Sequence, residues 1–218
     1  MRGGTASIGG DYPDPFTDEL GTACAVVCST TVGPCYAATL DRKDISEGYP
    51  GLPMRLALLV VDVACNPVEG ATVDIWHTSN QGLYSGDDTS TFCTGGDPDA
   101  TSHRFFRGVQ TTDASGRVDF DTCFPGFYPG RAIHIHFTIR SGGQDYVTSQ
   151  IYWPQDVVAD IFATQPDYAV FGQPDTSNAE DGIYDAANEV SWEKRPDGSM
   201  LAWKVLAIRS SLAEPLCN

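Results

Sequence analysis

Two histidines two positions apart, His134 and His136, are the residues best placed to do chemistry in this sequence. Ile133, Ile135 and Phe137 alternate with them, as in a β-strand that has one apolar face and carries both imidazoles on the other. Buried imidazoles need partners, and histidine is the commonest metal ligand. The spacing alone is equally compatible with a bound metal and with a pair of hydrogen-bonded strand histidines.

A metal held by these two histidines needs further ligands. A ferrous site would add a carboxylate, and the nearest in sequence are Asp119, Asp121 and Asp145. A zinc site would add a third histidine or a cysteine, and His77, at the end of a predicted strand, is the best candidate.

Two tyrosines offer a third donor set. Tyr128 lies on the turn that leads into the histidine strand, and Tyr84 lies in a loop that follows another predicted strand. A phenol has a pKa near ~10, so only a strongly Lewis-acidic ion displaces its proton. A site with two tyrosines and two histidines would therefore hold Fe(III) and leave a position for water or hydroxide.

Short strands separated by turns must position these residues. The chain has 22 glycines and 14 prolines among 218 residues, which favours strands and turns over a helical bundle. We predict an all-β fold, an antiparallel β-sandwich core with an extended N-terminal arm (1–50) and short peripheral helices. The predicted strands are 54–63, 71–77, 107–111, 117–122, 132–139, 146–153, 190–194 and 200–208. The predicted helices are 156–163 and a turn or two within 18–31, and 79–103 is predicted to be a long functional surface loop.

Charge and cysteine content limit the partners and the compartment. A formal net charge of −16 disfavours binding to nucleic acid or to anionic membranes. Seven dispersed cysteines without a CxxC pair predict disulfides and an oxidising compartment, with at least one thiol left over. The protein is therefore expected to be secreted, with a signal peptide that the start, Met1 to Gly4, does not contain.

A series of short motifs runs in a fixed order over about residues 30–155. They are Arg42-Lys43-Asp44-Ile45 with Glu47-Gly48, Gly70-Ala71-Thr72-Val73-Asp74-Ile75-Trp76-His77, Gly82-Leu83-Tyr84-Ser85, Phe106-Arg107-Gly108, Thr112-Asp113, Pro125-Gly126-Phe127-Tyr128, Gly130-Arg131-Ala132-Ile133-His134-Ile135-His136, and Gln150. Together they resemble the intradiol ring-cleavage dioxygenases, in particular the secreted catechol dioxygenase branch related to protocatechuate 3,4-dioxygenase and catechol 1,2-dioxygenase.

The resemblance implies a role for each matching residue. Non-haem Fe(III) would be held by Tyr84, Tyr128, His134 and His136. Tyr84 corresponds to the tyrosinate that stays bound, and Tyr128 to the axial tyrosinate that leaves when substrate binds. Arg131 corresponds to the arginine that stabilises negative charge on the bound ring, and Gln150 to a glutamine near the O2 side of the site.

The implied activity is cleavage of a catechol by O2 between its two hydroxylated carbons, giving a muconate-type diacid. Residues 51–218 would form the catalytic sandwich of a single-domain protein. A monomer is expected, because the long N-terminal helical region that pairs subunits in intracellular catechol dioxygenases is missing. Two alternatives remain open: a non-catalytic transthyretin-like binding module, and a zinc or ferrous enzyme that uses His134 and His136.

One segment departs from the family pattern. The family's Glu-Gly-Pro-Tyr-Tyr appears here as Val32-Gly33-Pro34-Cys35-Tyr36. This segment resembles part of the pocket wall, so Cys35 bears on the substrate range and is a candidate for a disulfide. Among the other motif residues, Trp76 is expected in the core and Arg107 in a structural ion pair.

Overall fold

Two four-stranded β-sheets pack face to face in the computed structural model, which describes residues 4–9 and 12–214. The strands are β1 (Pro53–Val61), β2 (Thr72–Trp76), β3 (Arg107–Thr111), β4 (Arg117–Cys123), β5 (His134–Ser141), β6 (Gln144–Tyr152), β7 (Ser191–Lys194) and β8 (Met200–Ala207). The strand order is β4-β1-β8-β7 in the first sheet and β3-β2-β5-β6 in the second. The predicted β-sandwich is confirmed.

Short helices lie between and beside the strands. They are α1 (Thr91–Thr94), α2 (Pro98–Ser102), α3 (Gln155–Thr164) and α4 (Pro166–Ala169), with single 3-10 turns at Gly4–Ser7, Asn178–Glu180 and Ala186–Asn188. The helix predicted at 156–163 is α3, and the segment predicted as a surface loop contains α1 and α2. In the described part of the chain, no helix has the length and apolar character needed to cross a membrane.

Strand β1 is the centre of the first sheet because its apolar run is buried almost throughout. It pairs antiparallel with β4 and parallel with β8, with Met54 opposite Met200. Nothing in the local sequence pattern indicates this parallel pair, since the partners lie far apart in the chain and no turn sets their register.

The main core lies between the sheets and draws on alternate residues of each strand. Ile135, Phe137 and Ile139 of β5 pack in one cluster with Leu56 and Leu58 of β1. Because side chains alternate along a strand, the histidines of β5 face away from this core, on the outer face of the second sheet.

That outer face is covered by two segments and is therefore also buried. In the arm, the Tyr36 hydroxyl donates to Asp74 at 2.9 Å, and its ring meets the Trp76 ring edge to face at 4.8 Å. A disulfide between Cys35 and Cys93 joins the arm to the loop that follows β2. The arm and the loop thus enclose a second, largely polar interior.

The helical turns predicted within 18–31 are wrong. Val26 forms a parallel bridge to Ala207, and the Val27 N–H donates to the Ala207 carbonyl at 2.9 Å. The segment extends along β8 because pairing with an exposed strand edge satisfies its backbone groups and buries Val27.

The predicted disulfides are confirmed by two bonds, Cys24–Cys65 and Cys35–Cys93. Cys123 is a buried free thiol. Cys217 and residues 1–3, which bear on the predicted disulfides and signal peptide, lie outside the described residues.

Candidate metal centre

Strand β5 and its two neighbours form the floor of the site. In the antiparallel register, His134 lies opposite Tyr152, and His136 lies between Gln150 of β6 and Trp76 of β2. These side chains share the outer face of the second sheet. The alternation of β5 therefore places both imidazoles where the sequence predicted them.

Four donor atoms converge above this floor. His134 Nε2 lies 3.1 Å from His136 Nε2, 3.4 Å from the Tyr84 hydroxyl and 3.3 Å from the Tyr128 hydroxyl. Ligand atoms bound about 2.0–2.2 Å from one ion lie roughly 3 to 3.5 Å apart, so these separations match a shared metal. The structure thus brings together all four residues that the sequence proposed as ligands.

The histidines are held ready to bind through Nε2. His134 Nδ1 lies 2.7 Å from the Ala132 carbonyl, which can only accept, so Nδ1 carries the proton and Nε2 keeps its lone pair. Burial and the nearby Arg131 lower the pKa of His134 to about 3, and burial and His134 lower that of His136 well below the usual value. Both imidazoles are therefore neutral at neutral pH.

His136 is fixed in orientation by packing on both sides. Its ring stacks on Trp76 with 5.0 Å between centroids and 8° between planes. Gly33 of the arm lies over it: its φ is +71°, and a Cβ there would lie 3.2 Å from His136 Cε1. Trp76 is buried as expected, but it belongs to a small cluster at the site with Cys35, Tyr84 and Cys93 and not to the core between the sheets.

The two tyrosines differ in exposure. Tyr84 is only 2% exposed, whereas Tyr128 is partly exposed. Burial raises the pKa of both phenols, and Arg131 acts against this at Tyr128. Gly82 lets their two segments meet, because its φ is +79° and a Cβ there would lie 1.9 Å from the Phe127 carbonyl oxygen.

Arg131 is held beside Tyr128 by a buried carboxylate. Its Nη1 lies 3.4 Å from the Tyr128 hydroxyl, and its Nε donates to Asp181 at 2.9 Å. The Asp181 side chain is 1% exposed and also accepts from the backbone N–H groups of Ala132 and Ile183, each at 2.9 Å. Burial opposes its ionisation, but these N–H groups and Arg131 outweigh burial and hold the pKa of Asp181 below its usual value.

Gln150 has a defined orientation with a free donor. Its Oε1 accepts from Arg131 Nη2 and from the Tyr152 hydroxyl, the latter at 2.7 Å. Because Arg131 has only donors, the amide oxygen must face it, which fixes the assignment of oxygen and nitrogen. The buried Nε2 has no hydrogen-bond partner among the described residues, so it is available to donate to a ligand.

The other proposed metal ligands lie elsewhere. Both ring nitrogens of His77 are occupied, by the Thr78 carbonyl at 2.8 Å and the Thr122 hydroxyl at 2.7 Å, so the zinc hypothesis loses its third ligand. The three carboxylates considered for a ferrous site each form an ion pair with an arginine: Asp119 with Arg117, Asp121 with Arg55, and Asp145 with Arg140. Over residues 4–9 and 12–214, no group of three or more His, Cys, Asp or Glu could hold a metal.

Sequence reasoning missed three residues at the site. Tyr152 could have been found, since it lies two positions after Gln150 and so shares its strand face. Asp181 lies in an irregular segment with no pattern to mark it. Arg107 was expected in a structural ion pair, which is wrong: it is fully buried, and its guanidinium lies over the Tyr84 ring at 5.8 Å from the centroid.

A cavity of about 170 Å³ opens beside both tyrosines. Its lining is mainly apolar and includes Leu83, Phe92 and the Cys35–Cys93 disulfide, with Gln81 as a polar member. No Lys or Arg of the described residues lines it. The cavity therefore offers an aromatic ring a place next to the two tyrosines of the donor set.

The donor set fits one metal ion with two imidazole and two phenol ligands. Neutral Nε2 atoms and two phenols that would bind as phenolates favour a hard, strongly Lewis-acidic ion. A non-catalytic module of the same fold would not require these four donors, the arginine and the glutamine in one place.

Comparison with known proteins agrees with this fold. A family model described as Dioxygenase (Dioxygenase_C) matches residues 32–198, well over half of the chain. The chain belongs to this family, that of the intradiol ring-cleavage dioxygenases.

Three individual relatives share 24–28% sequence identity with the chain. A solved intradiol ring-cleavage dioxygenase from Tetranychus urticae superposes with a TM-score of 0.76 at 28% identity, covering 89% of this chain and 99% of that chain. A chlorocatechol 1,2-dioxygenase of Pseudomonas sp. (strain P51) is 27% identical over 55% of this chain and 50% of its own. A hydroxyquinol 1,2-dioxygenase of Rhizobium sp. (strain MTP-10005) is 24% identical over 59% of this chain and 48% of its own. The chain thus spans about half the length of these curated relatives.

Proposed function

We propose that this chain is a non-haem Fe(III) dioxygenase that cleaves catechol-type diols with O2 between the two hydroxylated carbons, giving muconate-type diacids. The observation that carries the proposal is the convergence of four donor atoms: the Tyr84 hydroxyl, the Tyr128 hydroxyl and His136 Nε2 all lie 3.1–3.4 Å from His134 Nε2. Membership of the intradiol family supports the same reading.

Bound Fe(III) would supply Lewis acidity and a template for the diol and O2. Tyr84 would hold the metal throughout as a phenolate, since its side chain is buried and its backbone N–H donates to the Cys93 carbonyl at 2.9 Å. Tyr128 would be the ligand that gives way to substrate, because it is partly exposed whereas Tyr84 is buried. Its released phenolate oxygen can accept one of the two catechol protons.

Arg131 and Gln150 act on the reacting diol. Arg131 lies between Tyr128 and Gln150, with its charge fixed by Asp181, so it stabilises negative charge that builds up on the deprotonated ring. Gln150 offers the free Nε2–H described above as a donor on the other side of His136 from Trp76. Asp181 and Tyr152 are positioning residues, because they act through Arg131 and Gln150.

The substrate class is a neutral catechol. Relatives named for chlorocatechol and hydroxyquinol support an aromatic 1,2-diol. Within residues 4–9 and 12–214, the cavity has no Lys or Arg to match a ring carboxylate. The disulfides Cys24–Cys65 and Cys35–Cys93 support a secreted protein in an oxidising compartment. We extend the proposal to a monomer with one catalytic sandwich at 51–218 and the arm at 1–50.

The proposal is tested with the ferric protein and a panel of catechol, hydroxyquinol, caffeate and protocatechuate. We expect a coloured protein, because phenolate-to-iron charge transfer absorbs visible light, and oxygen uptake with the neutral diols. Tyr128→Phe should slow substrate deprotonation and lower kcat by about 10-fold or more, since a general base contributes about 10²–10⁴-fold. A colourless protein that stays inactive after loading with Fe(III), or wild-type turnover by Tyr128→Phe, would contradict the proposal.

A further inference from the structure

Arg107, the first residue of β3, is a buried cation without an acidic partner. Its side chain is fully buried, and none of the ion pairs among the described residues includes it. Desolvating a charge costs several kcal/mol unless an opposite charge or a full set of hydrogen bonds compensates. A buried arginine in this state therefore needs an explanation.

Its hydrogen bonds compensate only in part. Nε donates to the Ser85 carbonyl at 2.9 Å and to its hydroxyl at 3.2 Å, and Nη2 donates to the Cys35 carbonyl at 2.7 Å. Nη1 has no hydrogen-bond partner in the described part of the chain. These acceptors are neutral, so the guanidinium keeps its full charge inside the protein.

Tyr84 is a neighbour of Arg107 that can become an anion. The guanidinium carbon lies 5.8 Å from the centre of the Tyr84 ring, and Ser85, the residue that holds Nε, follows Tyr84 in the chain. Burial lowers the pKa of Arg107 to about 10, and Tyr84 opposes this most, ahead of the carboxylates of Asp88 and Asp74. Burial raises the pKa of Tyr84, and Arg107 comes before Arg131 among the cations that oppose it.

Arg131 provides the contrast. It contacts the Tyr128 hydroxyl, but its charge is already balanced by Asp181 at 2.9 Å. Among the described residues, no carboxylate lies within ion-pair distance of Arg107. Asp88 and Asp74 act on it from farther away, and each forms its ion pair with another arginine. Tyr128 thus has beside it an arginine whose charge is neutralised. Tyr84 has beside it Arg107, whose charge no ion pair balances.

We propose that Arg107 is the fixed counter-ion of the Tyr84 phenolate, so that its buried charge has an opposite charge beside it when a metal holds Tyr84 deprotonated. The inference rests on the ferric site proposed above. It makes Arg107 a positioning residue: it stabilises the permanent tyrosinate through the protein interior and does not contact substrate.

Three variants separate charge from hydrogen bonding. Arg107→Met removes both, Arg107→Lys keeps the charge near the Tyr84 ring, and Ser85→Ala removes one hydrogen-bond acceptor and leaves the charge. Ferric affinity is measured by competition with a colourless chelator, and the energy of the phenolate charge-transfer band by visible absorption. Neither readout depends on turnover.

The Met variant should bind Fe(III) about 10-fold or more weakly, the effect of losing about 1.4 kcal/mol of charge–charge attraction. Its charge-transfer band should move to lower energy, because an uncompensated phenolate gives up its electron more easily. Lys should restore most of the affinity and the band position, and Ser85→Ala should stay within about threefold of wild type. If Arg107→Met does not fold, Arg107→Gln serves as the uncharged variant that is compared with Arg107→Lys.

Two outcomes would overturn the inference. Equal losses in the Lys and the uncharged variants would assign Arg107 a hydrogen-bonding role only. A coloured wild type with an unshifted band and unchanged affinity in the uncharged variant would also contradict it. A wild type that neither binds Fe(III) nor becomes coloured would instead refute the proposed function, so the two failures can be told apart.

Discussion

The two faces of β5 lie in two very different interiors. On one face, Ile135, Phe137 and Ile139 pack in the apolar layer between the sheets, where each buried side chain contributes about 1.5–3 kcal/mol to folding. On the other face, His134 and His136 are just as buried, yet they face phenols and charged groups. Burial of such polar groups costs free energy in the metal-free protein. The apolar face therefore stabilises the fold. The histidine face lowers the stability of the metal-free protein, and its residues serve binding and catalysis instead.

Substitutions of adjacent residues on β5 should separate these two roles most strongly. Phe137→Ala leaves a cavity between the sheets and should lower the free energy of unfolding by about 3–5 kcal/mol. His136→Gln should change it by less than about 2 kcal/mol in the metal-free protein, yet it should abolish tight iron binding. Urea unfolding and iron content measure the two effects. If Phe137→Ala and His136→Gln lost equal stability and His136→Gln still bound iron, the two faces would not differ in role.

The carboxylate behind Arg131 gives the next largest effect. Asp181→Asn removes the charge that holds the guanidinium, so kcat/KM should fall about 10–100-fold, or about 1.4–2.7 kcal/mol, with iron content unchanged. The loss should fall on kcat more than on KM, because ring charge develops during reaction.

Asp74→Asn is the matched control for that variant. Both carboxylates are 1% exposed and both accept from an arginine at 2.9 Å, Asp181 from Arg131 and Asp74 from Arg140. Asp74→Asn should destabilise the fold comparably but reduce the activity of iron-loaded protein far less. Equal losses of activity in the two variants would show that any buried ion pair on this sheet matters equally.

The smallest effect concerns His77, which is buried but carries no proposed chemistry. Burial lowers its pKa to about 3, against about 6.5 in the unfolded chain. Between these values the unfolded state binds a proton that the native state does not, so stability falls as pH falls, by about 1.4 kcal/mol per pH unit.

His77→Gln should reduce the slope of the free energy of unfolding against pH by the His77 contribution. The slope is measured by urea unfolding of the metal-free protein between pH 7 and pH 5. The exposed His103 provides the control, since His103→Gln removes no buried imidazole. An unchanged slope in His77→Gln would mean that His77 is charged in the folded protein.

Much of the apolar interior could be predicted from sequence, because it depends on local alternation. The pattern around His134 and His136 gave β5, the polar turn at 113–116 gave the β3–β4 hairpin, and helix α3 was found within about one residue at each end. The parallel pairing of β1 with β8 and the extended course of 18–31 depend on contacts between distant segments, which local propensity does not encode.

The polar interior was predictable only where residues match known motifs. Tyr84 and Tyr128 were proposed from their turns and from the family resemblance, and the structure places their hydroxyls against His134. Asp181 could not be found, since its contact with Arg131 spans 50 residues and lies in an irregular segment. Arg107 was recognised as a motif residue, but its missing counter-charge becomes visible only in three dimensions.

The most direct test of the central claim is to identify the product that the iron-loaded protein forms from catechol and isotopically labelled O2. The account predicts cis,cis-muconate that carries both labelled oxygen atoms, and no product from a His134→Ala or Tyr84→Phe variant that retains its fold. A 2-hydroxymuconic semialdehyde, formed by cleavage beside the two hydroxylated carbons, would contradict it. So would a muconate yield that is the same in wild type and in the variants that lack a proposed ligand.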